Sequence, residues 1–203
     1  MKFNALLSTL AIGSALLAVP AVASDQSVLV RFEGAIGVQP FRSANGAPVL
    51  NAVAGVNPGG APWELLGLKV SIRTDGTIRG QGTGLLLGGT DNVGTRGGRR
   101  QVIASLFCRN APVAPALIGT VQAAPYNSPP ADVDGNGDFV LTGTLANASG
   151  ATPPLDCGDT VDNRPVLLIR SVTPANAATG APATPGVWFA AGIVRGKQER
   201  RDD

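Results

Sequence analysis

The sequence predicts an all-β, single-domain fold of antiparallel strands, and three observations carry that prediction. The 203 residues include 27 glycines and 16 prolines, the two poorest helix formers. Apolar and polar residues alternate over short runs, the period of a half-buried strand. Turn-forming residues break those runs at short intervals. Together these features predict about seven or eight strands in a two-sheet antiparallel sandwich, immunoglobulin-like or jelly-roll-like, with a β-barrel as the alternative.

The ends of the chain are set apart from that fold. Lys2 supplies a positive start, residues 5–19 are apolar, Pro20 breaks the run, and Ala21-Val22-Ala23 matches a cleavage site. Residues 1–23 therefore read as a cleaved secretory signal peptide, too short for a comfortable membrane span of about 20 residues. Residues 24–196 form the β-domain, and 197–203, KQERRDD, form a charged tail. The exported chain is expected to be extracellular or periplasmic, with no stable membrane anchor after cleavage. Its two cysteines, Cys108 and Cys157, then pair most simply as one disulfide.

The strands follow in order. In 27–37, Val28, Val30 and Phe32 share one face, and Arg31 and Glu33 the other. The clearest hairpin spans 65–84. Leu66, Leu68, Val70 and Ile72 are expected on one face, with Lys69, Ser71 and Arg73 opposite. Asp75-Gly76 predicts a type I′ turn. The return strand places Ile78, Gly80, Gly82 and Gly84 against Arg79, Gln81 and Thr83. Val102, Ala104, Leu106 and Cys108 mark the next strand, and Phe139, Leu141 and Leu145 another. Residues 165–171 are almost continuously apolar, as expected of a central strand, and 188–194 give the last one. Three long connections separate them: 88–100, 111–138, with a short strand expected around 118–121, and 173–186.

Residues 132–139, DVDGNGDF, are the most function-like stretch. Asp132, Asp134, Asn136 and Asp138 have the alternate spacing of calcium ligands, and Gly137 holds the turn position. The twelfth position of an EF-hand loop falls on Gly143 where a glutamate belongs, so this is not an EF-hand. A calcium loop would have to borrow a carboxylate from Asp156, Asp159 or Asp162. Arg96, Arg99 and Arg100, drawn near by the disulfide, compete as counter-charges. The simpler reading is a pair of solvated turns, because Asp, Asn and Gly are turn residues.

The glycine comb Gly80, Gly82, Gly84 is either a shelf for a ligand ring or a gap filled from within by Trp63 or Trp188. Exposed indoles would point to sugar binding. Three arginines on a glycine loop are too few for nucleic acid, and the net charge of +2 gives no global pull either way. Asn147-Ala148-Ser149 matches a glycosylation sequon.

The absence of histidine excludes Ser-His-Asp and Cys-His catalysis and removes the usual zinc and copper ligands. No phosphate-binding or dinucleotide glycine motif occurs. The chain is therefore expected to be a secreted, non-catalytic protein acting by surface contact as an envelope, matrix or adhesion component. Its expected partner is a protein or glycan surface, or a second copy joined through a sheet edge. The alternative is a small-molecule or glycan-binding module that uses calcium at 132–138. A carboxylate-based hydrolase stands third.

Overall fold

The computed structural model describes residues 27–109, 121, 124–157 and 163–195. The segment 1–23, the tail 197–203 and most of the short strand expected around 118–121 lie outside the described residues.

The described chain contains eleven strands and no helix. They are β1 (Val28–Gly37), β2 (Phe41–Ala44), β3 (Ala47–Leu50), β4 (Trp63–Arg73), β5 (Thr77–Leu87), β6 (Gln101–Phe107), β7 (Tyr126–Asn127), β8 (Ala131–Asp132), β9 (Phe139–Thr144), β10 (Val166–Thr173) and β11 (Thr184–Val194). All paired strands run antiparallel. The seven longest overlap the seven runs read as strands in the sequence, six of them by short patterned runs and β10 by its continuous apolar stretch. The other four have only two or four residues, too few to carry a period.

The architecture follows the barrel alternative more closely than the two-sheet sandwich. Nine strands form one curled sheet in the order β7-β6-β10-β11-β1-β4-β5-β9, with β8 also on β6, while β2 and β3 form a separate hairpin. The ends of the curled sheet are stitched by two isolated bridges, Asn127 with Ala146 and Val133 with Phe139. Asn127 and Ala146 exchange both backbone hydrogen bonds, at 2.8 and 3.0 Å. Pro129 lies between the bridges and packs against Gly143 of β9. Prolines lack an N–H, so Pro129 and Pro130 cannot extend a ladder here. Ser128 stands in for part of it: its N–H donates to Ala104 O, and its Oγ accepts from Ala104 N. The chain therefore meets itself at a seam rather than through a continuous ladder.

One hydrophobic core fills the curl, from Val30 and Phe32 through Leu68, Val70 and Ile72 to Leu167, Ile169 and Phe189. Both tryptophans lie within it, each 3% exposed. Trp63 and Phe189 have ring centroids 4.4 Å apart at a 38° tilt.

Three local readings are corrected by the structure. Leu66 does not share a face with Leu68; it is exposed, and Leu65 is buried instead. β4 and β5 keep their register while both change faces near Gly67 and Gly84, where Gly84 has φ +65°. Alternation read through that kink comes out inverted before it. The β4–β5 turn is also not type I′. Of its residues only Gly76 has positive φ, +82°, and Gly76 N donates to Arg73 O at 2.9 Å, which makes a three-residue loop closed by glycine. Asp75 Oδ1 accepts from Thr77 N, and that bond holds the Asp75 carboxyl below its ordinary range. Finally, the glycine comb is filled, but not by tryptophan. A Cβ at Gly82 would overlap the Phe139 ring, one at Gly80 would overlap the β4 backbone, and one at Gly84 would meet Leu66.

Candidate functional site

The predicted acidic loop is the turn that links β8 to β9 at the seam. Each acidic side chain in it has a separate structural partner. Asp132 Oδ1 accepts from Gln101 Nε2 at 2.9 Å. Asp134 Oδ1 accepts from Asn136 N and Asp138 N, at 2.8 and 2.9 Å, and so closes the turn on itself. Asp138 Oδ1 reaches across to Gly84 N at 2.8 Å. Asn136 is exposed at the tip. Gly137 is required at φ +82°, because a Cβ there would stand 2.6 Å from the Leu85 backbone. Among the described residues no three His, Cys, Asp or Glu side chains are grouped to hold a metal ion.

The other candidates are dispersed as well. Cys157 is bonded to Cys108 with Cα atoms 5.0 Å apart, which does bring the 156–157 turn to the end of β6. Asp156 is exposed, and Asp159 and Asp162 lie outside the described residues. The 88–100 loop does approach the acidic turn, through backbone rather than carboxylates. Arg96 Nη1 donates to Val133 O, and Val133 N donates to Arg100 O. The Arg99 guanidinium lies 5.4 Å from the Phe189 ring centroid. Neither Trp63 nor Trp188 offers an indole face to a sugar. Trp188 Nε1 donates to Asn51 O at 3.1 Å inside the fold.

What the curled sheet does assemble is a basic outer face. The pairing aligns Arg31 of β1 with Ser71 of β4 and Arg79 of β5, and beside them Glu33 with Lys69 and Gln81. Arg195, just past β11, joins this row by donating its N–H to Arg31 O. Arg31, Glu33, Lys69, Ser71, Arg79 and Arg195 line an open groove of about 370 Å³. Four of these six are cations and one is a carboxylate. That carboxylate, Glu33, is already engaged by Arg195 Nη1. Arg31, Lys69 and Arg79 are all exposed.

Like charges on neighbouring strands repel, and a surface that keeps them together attracts anions. Arginine forks match the oxygens of phosphate, sulfate and carboxylate, and lysine adds a point charge. The groove is thus suited to binding anionic groups. Its lining holds a single carboxylate, so it contains no pair for glycosidic acid/base work.

Sequence reasoning placed Arg31, Lys69 and Arg79 on the polar sides of their strands without uniting them, and did not single out Arg195. The available signal was the shared polar face of Lys69, Ser71, Arg79 and Gln81 in one hairpin. The missing fact was the strand order, which sets β1 against β4 and β11 against β1.

A further buried cation serves the fold. Arg170 on β10 donates Nε to Gly186 O at 2.8 Å and Nη2 to Pro185 O at 3.1 Å. These carbonyls belong to a stretch of β11 where the β10 register shifts. Burial lowers the Arg170 pKa from its ordinary value.

The cystine fits an oxidising compartment, and no described helix is long and apolar enough to cross a membrane. No protein-family model, curated protein or solved structure matches the chain.

Proposed function

We propose that this is an exported, non-catalytic β-protein that acts by surface contact, and that its contact face is the basic outer surface of β1, β4 and β5, which takes an anionic partner. One observation carries the reading: Arg31, Lys69, Arg79 and Arg195 converge on one groove whose lining offers a single, already paired carboxylate. Export is supported by the cystine and by the leader-like start of the sequence. The open shape of the groove favours docking over enclosure of a small substrate.

Equilibrium binding of inorganic polyphosphate, a soluble polyanion, tests this reading. The mature protein should bind it, and the affinity should fall steeply as the screening length shrinks from about 10 Å at 0.1 M salt to about 3 Å at 1 M. The triple variant Arg31→Ala/Lys69→Ala/Arg79→Ala should bind at least roughly tenfold more weakly. An unchanged affinity in that variant, or no binding by the parent, removes the site.

A further inference from the structure

On its β5 side the basic groove meets the exposed polar residues Gln81 and Thr83, but apolar residues border it elsewhere. Three large apolar side chains border it on the same outer face: Ile193, Ile36 and Leu66, exposed by 46, 63 and 74%. Ile193 lies two residues before Arg195 on β11, and its Cδ1 is 3.5 Å from where a Gly34 Cβ would stand, so it leans over β1. Ile36 pairs with Ala191 on the same two strands. Leu66 sits on β4 beyond Lys69 and covers Gly84. These residues face outward for an identifiable reason. The register shift between Phe32 and Ala35 on β1 and the change of face at Gly67 on β4 each turn the alternation over. Val30 and Phe32 point into the core before the shift, and Ile36 points out after it.

Resting on the reading of the groove as an anion site, we propose that this face docks on an acidic lipid surface. The cations would meet the headgroup phosphates, and Ile36, Leu66 and Ile193 would enter the headgroup–acyl boundary. Charge complementarity and the adjoining apolar band argue together for this partner. A soluble polyanion would use the cations and leave the three apolar side chains in water. A lipid interface takes up both bands, as it does for an amphipathic element lying in its plane.

Cosedimentation of the mature protein tests the proposal, using vesicles of phosphatidylcholine alone and vesicles with roughly 30% phosphatidylglycerol, a fraction that gives a negative surface potential. Binding is expected to the acidic vesicles only, and to fall with salt. Arg31→Ala and Arg79→Ala should each lower the partition coefficient about fivefold. Ile36→Ser and Ile193→Ser should lower it about threefold or more while leaving polyphosphate binding unchanged. Far-UV circular dichroism confirms that each variant is folded. Isoleucine variants that partition like the parent would overturn the lipid assignment, and so would equal binding to neutral vesicles. Polyphosphate binding without any vesicle binding would overturn it too and leave the anion site standing. Failure to bind either probe removes both.

Discussion

Asp138 shows how one residue of a metal-like motif can take on a structural task. β9 pairs with β5 only as far as Phe139 opposite Gly82. Beyond that point β5 kinks at Gly84, and two N–H groups lose their ladder partners. Asp138 Oδ1 accepts one of them, Gly84 N, and Gly137 O accepts the other, Leu85 N, at 2.9 Å. A backbone donor left without its ionised acceptor costs about 1.5–3 kcal/mol. Asp138→Ala should therefore lower the melting temperature by roughly 3–12 °C for a domain of this size. Asp138→Asn keeps an oxygen at the same place and should recover most of the loss. A thermal melt in which Asp138→Ala matches the parent would show that water replaces the carboxylate at no cost. The spacing Asp132, Asp134, Asn136, Asp138 was legible as either ligand set or turn. The sequence could not show that Gly84, 54 residues away, was waiting for an oxygen.

At the scale of the strands, the glycine comb and the basic face illustrate what alternation can and cannot reveal. The comb was readable as a place where something large comes close. The occupant was not, because it arrives from β9 through the register Gly82 with Phe139. The tip of that ring fills the space over a residue with no side chain, a pairing that compensates glycine in a sheet. Gly82→Ala should cost about 1–3 kcal/mol, since the methyl must displace the ring. Phe139→Leu removes the obstruction. The double variant Gly82→Ala/Phe139→Leu should accordingly be more stable than the sum of the single changes by at least about 1 kcal/mol in denaturant unfolding. Strict additivity would mean that the ring and the glycine are not coupled. The basic face has the same logic. Arg31, Lys69 and Arg79 were each assigned correctly to a polar side, while Arg195 was not assigned. Leu66 and Ile36 were legible as apolar but not as exposed, because a kink and a register shift invert the count.

At the scale of the whole molecule, the sequence distinguishes strands from helices far better than it distinguishes a sandwich from a barrel. That difference rests on whether the last strand finds the first edge. Here the answer lies in four short residues' worth of pairing at β7 and β8, in Ser128 imitating a strand, and in two isolated bridges. Such a seam is weak, and the cystine encloses it. Cys108 ends the β6 side and Cys157 precedes β10, so β7, β8, the acidic turn and β9 all lie inside a loop of 49 residues. Closing a loop of that length removes unfolded-state entropy worth about 4 kcal/mol on the chain-entropy argument. Reduction of the parent protein, and separately Cys108→Ala/Cys157→Ala, should then lower the melting temperature by roughly 8–16 °C. The two measurements guard each other, because the alanines also leave small cavities and reduction does not. Hydrogen exchange should locate the loss. The amides of Asn127, Val133 and Ala146 should lose protection first, while those of Leu68 and Val70, between β1 and β5, keep theirs until global unfolding. Uniform loss of protection across both sets would show that the cystine stabilises the molecule as one unit and that the seam is no weaker than the ladders beside it.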